Sequence, residues 1–467
     1  IMTLGIVILA AGKGTRMRSD TPKALHTLAG KSMLDHVIEL AESLYPEKIV
    51  IVHGHEGSQL KQNIKNPNLL WAEQKQQLGT GHAVKQALPY LEGTDHILIL
   101  YCDVPLLTKK TISKLINHPE NNLCVITAFL KNPFGYGRII RDKDNRITKI
   151  IEQKDLTTQQ EEIREINTGI MSASLEHLTK WLNQIEDNNI VGEYYLTDII
   201  QIAVTENENV NTIKTDNSDE IMGINTKSHL AKAERVWQLR KAQTLMNDGV
   251  TIMDPHRFDL RGKFSFGKNC KIDINVIIEG NLIFGNNVHI GANTVLKNVK
   301  LGNDVKVFEN CVLEEATVGS NSSIGPFCRL RPGANILGEA HIGNFVEIKE
   351  SEIGEKTKVN HLTYLGNSKI GNDVNIGAGT ITCNFDGAEK HKTTIGDNAF
   401  IGSNTALVAP VDVGESATVG AGSTIGKDVP AGKLTLSRPD QVTVADWTRP
   451  SKKKQNQQGK KNKKSEK

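Results

Sequence analysis

From Gly262 onward one aliphatic or aromatic side chain returns every six residues, and few architectures can hold that period. The series runs through Phe284, Ile290 and Leu296, then Leu301, Val307 and Leu313, then Val318, Ile324, Leu330, Ile336, Ile342 and Ile348. It continues through Ile353, Val359 and Leu365, then Ile370 and Ile376, with occasional five-residue steps. After one break it resumes without fault at Ile395, Ile401, Leu407, Val413, Val419 and Ile425. A helix repeats about every 3.6 residues and a half-buried strand about every two, so neither sustains this pattern. A β-helix does, because each short strand buries one side chain inward before the chain turns a corner. Gly follows the aliphatic residue at Ile290-Gly291, Leu301-Gly302, Val318-Gly319, Ile342-Gly343 and Ile376-Gly377 among others, where it is expected to make the corner. Small residues such as Thr294, Val305, Ser322, Val346, Thr380, Thr405, Ala417 and Ser423 occupy the place four further on. The break, Thr382–Thr394, is rich in Asn, Asp, Gly and Lys and reads as a loop extruded from the solenoid, an insertion that costs such a fold little.

The first half of the chain reads differently. Short aliphatic runs at Gly5–Ala10, Lys48–His53, His96–Tyr101 and Leu123–Phe129 alternate with amphipathic stretches such as Ser32–Leu44. Such alternation predicts a doubly wound, Rossmann-like α/β domain with a parallel sheet and ligands at the carboxyl ends of its strands. Between the halves, Lys227 to Met246 carries Leu230, Ala233, Trp237 and Leu245 among charges without Pro or Gly, which predicts one long connecting helix. The expected division is a first domain over 1–226, a helical linker over 227–247, a β-helix over 248–447 and a basic tail over 448–467. At 467 residues, two domains are the natural expectation.

Net charge is +3, and Lys452 to Lys467 carries so much positive charge that the body is mildly acidic. This argues against a nucleic-acid-coating surface, and the tail reads as a solvated segment. Six cysteines without paired spacing suit free thiols and a reducing, cytoplasmic setting. The apolar start, Leu4 to Ala11, lacks a basic leader and runs into a Gly/Lys-rich loop, so it reads as a strand and not a signal peptide. No apolar stretch is long enough to span a membrane.

Directly after the first strand comes Leu9-Ala10-Ala11-Gly12-Lys13-Gly14-Thr15-Arg16-Met17, then Thr21-Pro22-Lys23-Ala24-Leu25. A Gly-rich turn at a strand end lets backbone N–H groups approach phosphates, and Arg16 and Lys23 can neutralise charge that shifts in phosphoryl transfer. The loop is neither a Walker loop, lacking Gly-Lys-Ser/Thr, nor a dinucleotide fingerprint, lacking the third Gly. With Arg16 and the Pro-Lys at this spacing it resembles the signature of sugar-1-phosphate nucleotidyltransferases. Asp103, in Tyr101-Cys102-Asp103-Val104-Pro105, ends an apolar strand where a phosphate-bound metal belongs, although a lone Asp there is more often a turn residue or helix cap. The resemblance implies that Leu9, Ala10, Ala11 and Gly12 line the nucleotide, with Gln74, Gly79 and Thr80 near uracil and ribose. It likewise implies Tyr101 at the substrate, Asp103 and Asn225 as Mg²⁺ ligands, and Gly137, Glu152 and Asn167 around the sugar. The implied chemistry is attack of a sugar-1-phosphate oxygen on the α-phosphate of UTP.

The β-helix half carries polar residues that a bare solenoid does not need: Arg329-Leu330-Arg331, Glu347-Ile348-Lys349, Asn360-His361-Leu362-Thr363-Tyr364, Asn375 and Thr382-Cys383-Asn384-Phe385-Asp386. The repeat resembles the left-handed β-helix of hexapeptide acyltransferases, which implies a homotrimer with sites between subunits. Both halves together resemble the family of bifunctional N-acetylglucosamine-1-phosphate uridyltransferases/glucosamine-1-phosphate acetyltransferases, which make a bacterial cell-wall precursor. That resemblance implies glucosamine-1-phosphate, N-acetylglucosamine-1-phosphate, UTP and acetyl-CoA as substrates. It implies Arg331 and Lys349 at the sugar phosphate, His361 as general base, and Tyr364 and Asn375 shaping the sugar site. Asn384, Phe385, Ser403, Ala421 and Arg438 match acetyl-CoA contacts, with Phe385 standing where the family pattern usually has Tyr. Two rivals remain at this stage. In one, the β-helix serves only assembly, against which the set His361, Lys349, Arg331 and Asn384 speaks; in the other it is an ice-binding surface, which would want flat Thr arrays.

Overall fold

The computed structural model describes residues 2–12, 14–55, 57–117 and 122–449. Lys13 of the Gly-rich loop and nearly all of the expected tail therefore lie outside the described residues.

The first half forms a sheet of strands β1 (Leu4–Ala10), β2 (Lys48–His53), β3 (Leu69–Glu73), β4 (His96–Tyr101), β5 (Leu123–Phe129), β6 (Arg138–Arg141), β7 (Ile147–Ile151), β8 (Glu165–Ser174) and β9 (Val210–Thr215). Its main path runs β9-β5-β8-β4-β1-β2-β3. The central strands read as unbroken apolar runs because both faces are covered: Ile6, Val7, Ile8, Ile97, Leu98 and Ile99 have no exposed surface. The helix foreseen over Ser32–Leu44 spans Met33–Glu42, with Ser32 and Asp35 forming a capping box. The sheet is mixed, not wholly parallel as alternation suggested, since β8 pairs antiparallel with both β4 and β5. The chain from β5 to β8 has no crossover helix. It makes the β6–β7 hairpin instead, and a strand reached that way can return antiparallel.

The second half is a parallel β-helix. One inward column stacks Ile272, Ile290, Val307, Ile324, Ile342, Val359, Ile376, Ile401 and Val419 in register from coil to coil. Every member of the six-residue series named above is buried, and so are Thr294, Ser322, Thr380, Thr405 and Ser423 in the second inward position. Gly325 apart, with φ +96°, the glycines after the aliphatics do not supply the left-handed corner residue, contrary to expectation. Asn275, Asn293, Asn310, Phe327 and Phe345 take positive φ there, whereas Gly291 has ordinary backbone angles. Gly291 is required for a different reason: a Cβ would stand 2.7 Å from the backbone nitrogen of Glu309 on the next coil.

The connecting helix spans Lys227–Asn247, its first turn capped by the Thr226 side chain. It is a wall shared by both halves. Ala233 packs with Leu28, Met33, Leu106 and Ile224 of the first domain, while Ala242 and Leu245 join the β-helix core. Gln238, fully buried, caps the outer edge of the first coil by accepting from Leu260 N–H at 2.8 Å and donating to its C=O at 3.0 Å. The open edge of the terminal strand explains a buried glutamine there.

Candidate active sites

The first site opens at the carboxyl ends of β1 and β4. A cavity of about 410 Å³ is lined by Leu9, Ala10, Ala11, Gly12, Lys23, Gln74, Gly79, Thr80, Tyr101 and Asp103, so these predicted residues are brought together. Gly14 has φ +60°, and a Cβ there would stand 2.7 Å from Cβ of Lys23; only Gly lets the loop close on the Lys23 segment. Gln74 is buried and donates to Gly79 C=O at 3.0 Å. Gln77, which the sequence did not single out, donates to Ala11 C=O and ties together two loops that line the cavity. Cys102 also lines the cavity, but burial, and then Asp103, pushes its thiol up to about 12, so it stays protonated at neutral pH.

On the cavity floor Lys23 Nζ donates to Asp103 Oδ2 at 2.5 Å and to Asn225 Oδ1 at 2.7 Å. Arg16 reaches the same Asn225 oxygen at 2.9 Å. Backbone geometry fixes this pairing, because Ile224 N–H donates to Asp103 C=O at 2.8 Å and so sets Asn225 beside the end of β4. One carboxylate and one amide oxygen converging on a cationic atom form a hard-oxygen set that fits Mg²⁺, which takes few protein ligands and completes its shell with phosphate and water. Among the described residues no cluster of three or more His, Cys, Asp or Glu offers an alternative metal cage.

The residues expected around the sugar adjoin this floor. Asn167 N–H donates to Gly137 C=O at 2.9 Å, and a Cβ on Gly137 would meet the Glu152 carboxylate at 3.4 Å. Thr197, also not singled out from sequence, donates to Glu152 at 3.0 Å. Burial raises Glu152, and burial with Glu152 and Asp155 pushes Asp198 up to about 6. Tyr101 stands between the two sides, its hydroxyl pushed upward by burial and then by Glu152 and Asp103.

The second site lies on one face of the β-helix, bounded by two corners. At one corner Arg331 pairs with Glu347 at 2.8 Å, and Glu347 is in register with Tyr364 on the next coil. Lys349 is held below the ordinary lysine range, first by contact with the Lys390 ammonium. Three cations thus face two carboxylates at one corner, Glu347 on Arg331 and Glu350 3.5 Å from Lys390, which leaves one positive charge that an anion completes. Lys390 went unremarked in the sequence because its loop carries no periodic signal. Asn384 is buried and donates to Asn367 at 2.6 Å, and Phe385 is 61% exposed beside it.

At the other corner His361 is exposed, with Nδ1 3.1 Å from Asn344 Oδ1. With that oxygen accepting, Nδ1 carries the proton and Nε2 presents a lone pair. Tyr364 begins the three-residue strand between the corners, so His361 and the cations are separated by roughly 10 Å of strand. Further along this corner Gly377 lies against Ser403, and Arg438 donates to Ala421 C=O at 3.0 Å, which joins Ser403, Ala421 and Arg438 in one column. Asn375 lies on the strand stacked against the one that ends at His361, in register with Lys358 and Phe400, and so stands three positions back from that corner.

Comparison with known proteins matches residues 6–160 to the MobA-like NTP transferase domain and residues 392–427 to the bacterial transferase hexapeptide repeat. The bifunctional protein GlmU of Idiomarina loihiensis is 50% identical over 454 residues, which is 97% of this chain and 100% of that protein. The chain belongs to the GlmU family. GlmU proteins of Acinetobacter baylyi and Chromobacterium violaceum are 50% and 48% identical, each over 97% of this chain and 99% of their own length. Membership of the GlmU family makes the β-helix more than an assembly module and leaves the ice-binding alternative without support. All described cysteines are free, as expected, and no helix among the described residues is long and apolar enough to cross a membrane.

Proposed function

We propose that this chain makes UDP-N-acetylglucosamine in two steps, one in each half. Residues 248–447 transfer the acetyl group of acetyl-CoA to glucosamine-1-phosphate, and residues 1–226 then join the product to UTP. The observation that carries the reading is the presence, in one GlmU-family chain, of two separate polar sites built on different folds.

In acetyl transfer, Arg331 and Lys349, with Lys390 beside them, hold the sugar phosphate. His361 Nε2 takes one proton from the sugar ammonium, whose nitrogen then attacks the thioester carbonyl; the C–S bond breaks and the departing CoA thiolate takes up the nitrogen's second proton to leave as the thiol. Tyr364 and Asn375 shape the sugar site, and Asn384, Phe385, Ser403, Ala421 and Arg438 contact acetyl-CoA. Phe385 keeps a stacking surface there without a hydroxyl. Asn375 is set back from His361 by three strand positions, and stacked Phe327 and Phe345 and Leu362 leave an apolar ladder exposed beside the site. Both features support a homotrimer in which a neighbouring copy completes each site and covers the ladder.

In uridylyl transfer, the phosphate oxygen of N-acetylglucosamine-1-phosphate attacks the α-phosphorus of UTP and pyrophosphate leaves. The nucleophile is already anionic, so no protein base is needed. Leu9 to Gly12, Gln74, Gly79 and Thr80 cradle the nucleotide; Gly137, Glu152 and Asn167 orient the sugar; Arg16 and Lys23 offset charge on the phosphates. Asp103 and Asn225 would hold Mg²⁺, which when bound supplies charge stabilisation to the phosphates.

The test is to follow free thiol and pyrophosphate separately with glucosamine-1-phosphate, acetyl-CoA, UTP and Mg²⁺, for wild type and a His361→Ala variant. Wild type releases both. The variant releases pyrophosphate only when given N-acetylglucosamine-1-phosphate; pyrophosphate without any thiol from wild type would sink the acetyl-transfer half.

A further inference from the structure

The floor of the nucleotide cavity holds an arrangement that uridylyl transfer does not by itself require. The two oxygens read above as metal ligands already share a cation, with Lys23 Nζ 2.5 Å from Asp103 Oδ2 and 2.7 Å from Asn225 Oδ1. The Lys23 side chain is only 13% exposed, and Asp103 only 19%, so this is a shielded pair and not a loose surface contact. Arg16 places a second positive group 2.9 Å from the same amide oxygen. The oxygens themselves are held in place by the backbone bond between Ile224 and Asp103. A shielded carboxylate without a cationic partner is costly, and the ammonium meets that need with the chain's own charge. An ammonium and a divalent cation compete for these oxygens, because Asn225 Oδ1 already accepts from both Lys23 and Arg16 and the two positive charges would stand a few ångströms apart.

We propose that Lys23 is a tethered stand-in for the divalent cation: without nucleotide its ammonium occupies the Asp103–Asn225 oxygens and holds the metal off, and polyphosphate oxygens draw it away. The proposal rests on reading Asp103 and Asn225 as the metal ligands. Its consequence is a positive linkage between nucleotide and metal, because the phosphates give Lys23 and Arg16 new acceptors and free the oxygens in the same event. Lys23 then has two successive partners, and its first one sets the order of binding.

The experiment titrates Mn²⁺ alone into the full chain without nucleotide, reading free Mn²⁺ by electron paramagnetic resonance. Wild type, Lys23→Met, Lys23→Gln and the doubles of each with Asp103→Asn are compared, with melting temperatures to establish that each is folded. Removing the ammonium is expected to tighten Mn²⁺ binding at least about tenfold, which corresponds to about 1.4 kcal/mol. The added Asp103→Asn change should abolish that gain. Unchanged or weaker binding in both folded Lys23 variants overturns the stand-in role while leaving Asp103 free to be a ligand. A gain that survives Asp103→Asn has a different meaning, since it refutes the assignment of the metal to Asp103 and removes the premise of the proposal.

Discussion

Replacing Gly14 by Ala should disable uridylyl transfer and leave acetyl transfer intact. The position has φ +60°, which for a residue with a side chain costs about 1–2 kcal/mol. The added methyl would also stand 2.7 Å from Cβ of Lys23, whereas carbon atoms rest at about 3.5–4.0 Å, so one of the two segments must shift by roughly 1 Å. Lys23 Nζ sits within hydrogen-bonding distance of Asp103 and Asn225, and a displacement of that size at a phosphate-handling site costs on the order of 10²-fold in rate. The expected fall in kcat/KM for pyrophosphate release is therefore about 10²-fold, or about 2.7 kcal/mol of transition-state stabilisation. Thiol release should stay at the wild-type rate, because Gly14 and its contacts belong to the first domain. Gly93→Ala supplies the control: φ is +85° but open space surrounds its Cβ, so it carries strain without collision. The reasoning fails if Gly14→Ala loses less than about threefold, or if Gly93→Ala loses as much activity, since backbone strain and not the Lys23 contact would then be responsible.

Further outcomes follow from other contacts. Gln238→Leu should leave Leu260 N–H and C=O buried without partners and destabilise the joint between the halves by roughly 2–5 kcal/mol, seen as a lower first melting transition. Ile348, fully buried in the β-helix, should cost about 2–5 kcal/mol on substitution by Ala, and urea unfolding monitored in the β-helix would register it. Asp198 is raised to about 6 from 3.8, so its ionisation progressively destabilises the folded state as pH climbs through that window and imposes a constant cost above it. Asp198→Asn should therefore raise stability by about 1 kcal/mol at pH 8, a figure reduced for partial exposure, and by nothing near pH 4. Comparing melting temperatures at the two pH values checks the sign; equal gains at both would contradict it. Lys390→Met should raise KM for glucosamine-1-phosphate about tenfold with little change in uridylyl transfer, on the premise that the Lys349 corner takes the phosphate.

Much of this protein was legible along the chain because its signals are local. The six-residue series needs only side-chain size at fixed spacing, and every named member lies in the β-helix core. The Gly-rich loop, Lys23 and Asp103 could be assigned to one site because ligands gather at strand ends in α/β sheets, and these positions line one cavity. Tertiary structure alone decided the direction of β8, since strand pairing depends on how the chain returns and not on its hydropathy. It alone revealed why Gly291 must be Gly, through an approach to Glu309 eighteen positions away, and why a glutamine is buried at 238. The contacts that join Lys23 to Asn225 and Lys390 to Lys349 likewise span loops whose composition carries no period. Sequence determines what repeats and what must be inside; which distant polar groups meet is settled only when coils stack and loops close, because hydrogen bonds and charges act through space at a few ångströms.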